Sequence, residues 1–294
     1  MTRIAYLGVI ILWSTTPLAI KWSSEGAGFL FAVTSRMVLG LIASWFLLGV
    51  LGHALPMHSS AKRTYMVSGM NIYLTMCLVY WASQYIPSGW ISVVFGLSPI
   101  ITGILATLIL SEDALLPTKL TGMAMGVIGL VLIFGNGYQA GTEFVIGIGA
   151  VLLGTVLHSL SAVLIKRLHS RISGVAATTG GLTIATPLFI ATWLLLEGGI
   201  PAEITPRATW SILYLGVVGS SIGFTLYYYI LVNMSVNRVA LITLITPVTA
   251  LTIGNVFNNE PLNSDILTGT GLIVSGLLLH EYGRVILRNV LRIR

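Results

Sequence analysis

The chain of 294 residues carries only 15 Lys+Arg and 9 Asp+Glu, so 8% of it is charged, while 55% is hydrophobic and the mean hydropathy is +0.94. Soluble domains hold about 25% charged residues, so this composition cannot clothe a water-facing surface, and it excludes a soluble enzyme, a disordered chain and a secreted disulfide scaffold. The single cysteine, Cys77, permits neither an internal disulfide nor a cysteine-based metal site, and a net charge of +6 calls for no nucleic-acid partner when the basic residues face lipid headgroups.

A helix needs about 20 apolar residues to cross a bilayer. The stretches free of Asp, Glu, Lys and Arg, divided at the turn signal Pro87-Ser88-Gly89, predict ten such helices near 3–22, 28–51, 63–85, 88–111, 117–135, 145–168, 174–197, 208–233, 237–258 and 265–287. The first lacks a small-residue cleavage site and ends at Lys21, so it reads as a retained helix and not a signal peptide. The second contains Arg36, the one formal charge predicted inside a span. It is a candidate for holding an anionic group, with snorkelling or bonding to freed carbonyls as the competing structural role.

In the third helix Tyr73, Cys77, Tyr80 and Gln84 share one stripe, flanked by Trp81; Ser221, Thr225 and Tyr228, flanked by Tyr229, do the same in the eighth. Polar groups on lipid-embedded helices need partners, so both stripes are expected to face the bundle interior, either as a substrate-binding surface or as interhelical packing. Helices four and nine carry Ser98-Pro99 and Thr246-Pro247, whose prolines each remove a backbone donor and are candidate hinges or static bends. Gly122, Gly126 and Gly129 give helix five a close-packing face that suits Gly269 and Gly276 of helix ten, and Gly180-Gly181 lets helix seven approach a neighbour. His158 in helix six is the one histidine well inside a span, a reader of a substrate carboxylate, a proton carrier, or a hydrogen-bonded core residue beside Ser159 and Ser161. Glu112 and Glu260 end helices four and nine, as solvated ends or as gate partners of Lys119 or Arg207.

Twelve of the 15 basic residues fall on one side of these ten spans, which places both termini in the cytoplasm. Displacing the sequence by 148 sets Tyr80 on Tyr228, Trp81 on Tyr229, Ser98 on Thr246, Pro99 on Pro247 and Glu112 on Glu260; a displacement of 145 sets Ser14 on Ser159 and Lys21 on Lys166. Five crossings per half is an odd number, so the halves 1–136 and 145–294, joined by a periplasmic linker 137–144, are expected to be inverted repeats of an all-α membrane protein, an arrangement suited to alternating access. They are not equivalent: His158 stands where the first half has Trp13, and Gly180 lies near the counterpart of Arg36.

The ten spans, the five-plus-five repeat, Trp13-Ser14-x-x-Pro17 followed by Lys21, and Ser98-Pro99 followed by Glu112 resemble the drug/metabolite transporter superfamily, and within it the EamA-type exporters, most closely those that export aromatic amino acids. That resemblance implies efflux of aromatic amino acids and related small metabolites from the bacterial inner membrane through a cavity between the halves. The substrate-binding candidates are Trp13, Tyr73, Tyr80, Trp81, Ser98, His158, Thr225, Tyr228 and Thr246, with Pro99 and Pro247 as hinges. No cofactor or metal is implied, and the expected partners are the small-molecule substrate and membrane lipids, with a monomer or a dimer as the assembly. All nine carboxylates are expected at helix ends or in loops, which favours uniport or exchange over obligatory proton coupling. Alternatives are a broader drug or metabolite carrier coupled to protons through His158, a channel, and an intramembrane enzyme; the last two lack a filter-like repeat and a nucleophile-base or metal cluster.

Overall fold

The computed structural model describes residues 2–110, 117–135, 141–170, 172–235, 238–239 and 242–291. Among them the regular structure is helical throughout: α1 (Thr2–Ser24), α2 (Phe29–Val50), α3 (Ser59–Ala82), α4 (Ser88–Phe95), α5 (Ser98–Leu110), α6 (Pro117–Gly135), α7 (Thr142–Leu168), α8 (Gly174–Leu196), α9 (Pro206–Leu213), a π-helical stretch (Tyr214–Gly223), α10 (Phe224–Asn233), α11 (Ile242–Asn258) and α12 (Ser264–Leu291). Six segments are by themselves long and apolar enough to cross a bilayer: α1, α2, Ser88–Leu110, α7, α8 and Pro206–Asn233. Glu112, Arg171, the Lys119 side chain, positions 136–140 of the expected linker and most side chains of the basic tail lie outside the described residues.

Two expected helices are interrupted. Pro99 has no N–H to offer and its ring crowds the carbonyl one turn back, so α4 stops at Phe95 and the chain passes through Gly96 and Leu97 before α5 begins. Pro17, Pro187 and Pro247, by contrast, remain inside their helices. The expected eighth helix contains the π stretch, whose glycines Gly216 and Gly219 lie against α2. A Cβ at Gly216 would fall 2.6 Å from the Leu39 Cβ, and one at Gly40 would fall 2.7 Å from the Ser220 Cβ, so only glycine permits this approach.

The bundle inverts the pattern of a soluble protein. Ile4, Ile11, Phe46, Leu195 and Trp210 point outward, whereas Arg36, Ser44, Ser68, Thr179 and Thr186 are buried. Threonine hydroxyls stitch α2 to α8 through Thr34 to the Phe189 carbonyl at 3.3 Å, Thr186 to Met37 at 3.3 Å and Thr179 to Ser44 at 3.2 Å. In hydrocarbon such bonds contribute because the hydroxyls have no water to turn to. α3 lies against α7 and α8, and in the same manner the π stretch lies against α2 while α10 meets α1 and α8. α11 crosses α4 where Gly96 faces Pro247. α6 and α12 pair through glycines: a Cβ at Gly129 would lie 2.5 Å from the Gly269 carbonyl oxygen, and one at Gly276 would lie 2.6 Å from that of Gly122.

Three charged side chains complete helix ends. Lys21 Nζ donates to the carbonyls of Ser83 at 3.5 Å and Ile86 at 3.0 Å, just past α3. Lys166 Nζ does the same at the end of α10, to Leu231 in its last turn at 3.2 Å and to Met234 just beyond it at 2.7 Å. Glu260 receives the first N–H groups of α4, from Ser88 on Oε1 at 2.9 Å and Gly89 on Oε2 at 3.1 Å, with Asn258 Nδ2 on Oε1 at 3.0 Å. Its expected partner Arg207 is instead paired with Glu25 at 3.7 Å and rests on the Trp22 ring, so Glu260 is neither a solvated end nor an Arg207 gate.

Two stability predictions follow from this packing. Glu260→Ala strips three hydrogen bonds from a buried carboxylate site and is expected to cost about 2 kcal/mol, roughly 4–8 °C of Tm in detergent, whereas Glu25→Ala at the half-exposed pair stays within about 0.5 kcal/mol. Gly129→Leu or Gly276→Leu forces α6 and α12 apart and is expected to lower Tm and the monodisperse yield, while Gly271→Ala, which meets nothing within 4 Å, leaves both unchanged.

Candidate functional site

A cavity of about 90 Å³ lies at the centre of the bundle. α1 supplies Trp13, Thr16 and Pro17; α2 supplies Arg36; α3 supplies Asn71, Thr75 and Met76; α4 supplies Ser92 and Phe95. From the second half come His158 of α7, Gly219 of the π stretch, Phe224, Tyr227 and Tyr228 of α10, and Thr243 and Thr246 of α11. Space on this scale holds a few waters or a small organic molecule and is well below the roughly 300–1,000 Å³ of a drug-sized pocket.

One wall is aromatic. The Trp13 and His158 rings meet edge to face at 5.6 Å, Tyr227 lies 5.2 Å from each, Phe95 lies 5.9 Å from His158, and Tyr228 lies 5.2 Å from Tyr227. Edge-to-face and tilted rings present both electron-rich faces and electropositive edges, a surface that accepts a planar apolar guest. The remaining wall is polar. Tyr228 stands beside Asn71, Thr75 donates to Asn71 Oδ1 at 3.0 Å, and Arg36, 2% exposed, projects its guanidinium from α2. Its Nε donates to Ser220 Oγ at 2.8 Å and its Nη1 to the Tyr80 hydroxyl at 3.4 Å. The π stretch puts Ser220 and the bare backbone of Gly219 within reach of that guanidinium.

Of the residues expected to bind substrate, Trp13, His158, Tyr228 and Thr246 line this cavity together, and Ser98 lines a smaller adjoining one with Thr102 and Val239. The other four lie elsewhere. Tyr80 is fully buried behind the cavity as a hydrogen-bond acceptor of Arg36. Tyr73 bonds Thr192 at 2.7 Å and packs on Phe189 in the α3 and α8 contact. Trp81 meets the tilted ring of Tyr85 at 5.0 Å, and the Thr225 backbone is where Gly174 of α8 closes on α10. The hinge candidates differ: Pro99 opens α5 beyond the helix break, whereas Pro247 sits within α11 opposite Gly96.

The expected polar stripe 73, 77, 80 and 84 of α3 lies beside the cavity, which the neighbouring stripe of Ile72, Thr75, Met76 and Val79 lines. A one-residue step turns a helix by about 100°, which separates the two stripes. Asn71, Phe95, Phe224, Tyr227 and Thr243 were not singled out. For Tyr227 a signal existed, since it precedes Tyr228 and Tyr229 in an unbroken run.

Known proteins share this architecture across nearly its whole length. The chain is 25% identical over 273 residues to the uncharacterized transporter YvbV of Bacillus subtilis, covering 92% of this chain and 88% of that one. It is 28% identical to an uncharacterized transporter of Archaeoglobus fulgidus, covering 92% and 95%. A probable terminal-alkyne amino-acid exporter of Streptantibioticus cattleyicolor is 25% identical, with 92% and 90% covered. A protein crystal structure shares the fold with a TM-score of 0.71 at 19% identity, over 95% of this chain and 97% of that one. The EamA-like transporter family matches residues 2–135 and, a second time, residues 145–280, and by this double match the chain belongs to that family of membrane transporters and is not an enzyme.

Proposed function

We propose that this protein is an exporter of aromatic amino acids and related small metabolites, working by alternating access through the central cavity. The observation that carries this reading is the cavity itself, which draws an aromatic wall and a polar wall from both family-matched segments. A small guest with a planar side chain and a charged or hydrogen-bonding head suits the two walls together. The amino-acid exporter among the relatives points the same way.

The architecture we propose has ten spans, both termini in the cytoplasm, and halves 1–136 and 145–294 inverted about a linker at 137–144. Two parallels support it. Lys21 and Lys166, which correspond at an offset of 145, each close the end of the third helix of their half, on carbonyls that correspond at 148: Ser83 with Leu231 and Ile86 with Met234. Trp13 and His158, also 145 apart, meet ring to ring at the cavity, as two equivalent positions do near an axis that relates two halves. In this reading the protein sits in a bacterial inner membrane as a monomer among lipids, with neither cofactor nor nucleic acid.

The test is efflux from proteoliposomes loaded with radiolabelled phenylalanine, with and without an imposed pH gradient. Saturable efflux without a gradient is expected from the wild type. Trp13→Ala is expected to lower it about tenfold, since its ring contacts contribute roughly 0.5–1.5 kcal/mol beyond area alone, while Trp81→Ala, away from the cavity, changes it by less than about twofold. Efflux no faster than from protein-free vesicles, with folded protein present, would remove the amino-acid assignment. Efflux that requires the gradient and disappears in His158→Gln would replace the uncoupled carrier by one coupled to protons through that ring.

A further inference from the structure

We infer that Arg36 is the anion-recognising group of the cavity and selects guests bearing a carboxylate. The inference deepens the export reading and rests on it for the identity of the cavity as the transport site.

Arg36 is 2% exposed, yet it lines the cavity. A guanidinium has five N–H donors and cannot shed its charge in a protein. Two of those donors are engaged, Nε by Ser220 and Nη1 by Tyr80, and both acceptors are neutral hydroxyls. Around it stand Gly219 and Ser220 of the π stretch, Tyr80 of α3 and, along the same cavity, Asn71, Thr75 and Met76; no described carboxylate lines the cavity. Glu25 and Glu260 are occupied at helix ends, with Arg207 and with the α4 N–H groups.

A buried charge without a counter-charge is costly, and a merely structural link between α2 and the π stretch would be served by a neutral donor. The arrangement is balanced when an anion enters. The Nη2 edge then offers charge-assisted hydrogen bonds while Ser220 and Tyr80 hold the fork in orientation. Gly219 stands beside that edge, where a Cβ would lie 3.7 Å from the Nη2 atom, an ordinary contact distance. The same site disfavours cations, which find no carboxylate to answer them. With the rings of Trp13, Phe224 and Tyr227 on the cavity wall, the guest that fits is small, with an aromatic body and a carboxylate head.

Three probes of one size separate the terms: 3-phenylpropionate has the carboxylate alone, 2-phenylethylamine the amine alone, and phenylalanine both. Binding to the purified full-length protein, read by ligand-dependent thermal shift, is expected to be at least about tenfold tighter for 3-phenylpropionate and phenylalanine than for 2-phenylethylamine. Arg36→Gln is expected to erase the difference and Arg36→Lys to keep part of it. The wild-type comparison stands alone if Arg36→Gln fails to fold. Equal binding of the amine and the carboxylate, a preference unchanged in Arg36→Gln, or no binding by any carboxylate probe would each overturn the inference. The two proposals fail separately. Carboxylate-selective binding without vesicle efflux removes the export reading and leaves Arg36 its role, whereas phenylalanine efflux that Arg36→Gln leaves untouched does the reverse.

Discussion

At a helix end buried in the protein the backbone groups have only other protein groups to bond with, and three charged side chains of the chain are placed by this constraint. Lys21 and Lys166 collect the carbonyls left where the third helix of each half stops, and Glu260 collects the N–H groups where α4 starts. Each is a charged group bonded to partial charges of opposite sign, so one interaction settles both the buried ion and the unpaired backbone.

The cavity depends on both the similarity of the halves and their differences. Equivalent positions on α1 and α7 bring Trp13 and His158 into contact. On the second helix of each half the match fails. α2 carries Arg36, while the corresponding stretch of α8 has Gly180 and Gly181, where a Cβ at Gly181 would fall 2.6 Å from the Ser68 hydroxyl. α8 therefore packs tightly on α3 in the place where α2 extends a long cationic side chain into the interior. The π stretch supplies the matching recess, because Gly216 lets its backbone approach α2 and sets Ser220 beside the guanidinium.

Much of the fold was legible from where charge is missing. Charge-free runs located the helices, and the glycine pattern of α6 anticipated its contact with Gly269 and Gly276 of α12. Helix interruptions were less visible: Pro99 and Pro247 have the same local sequence signal, yet only Pro99 falls beside a break, since the outcome depends on the Gly96 and Leu97 turn before it. The site was read in part. Trp13, His158, Tyr228 and Thr246 carry chemistry that stands out against an apolar background, whereas Ile72, Met76 and Val79 line the cavity without any distinguishing mark. Tyr80 stood out for its hydroxyl, and that hydroxyl serves Arg36 instead of the cavity. Glu260, expected as a solvated end or a gate partner, instead accepts main-chain N–H groups of Ser88 and Gly89, which no residue-type pattern reveals.

The unbalanced guanidinium also has an electrical meaning. With no described carboxylate lining it, the empty cavity carries the one positive charge of Arg36, which a monoanionic guest cancels and a zwitterion leaves in place. Membrane voltage does work on net charge that moves through its field, about 2.3 kcal/mol per elementary charge per 100 mV. Any motion that carries Arg36 through part of that field is therefore driven or opposed by voltage when the cavity is empty and is indifferent to it when an anion is aboard. For a monoanionic guest the membrane potential would thus act on the empty movement and not on the loaded one, whereas a zwitterion would leave the two alike.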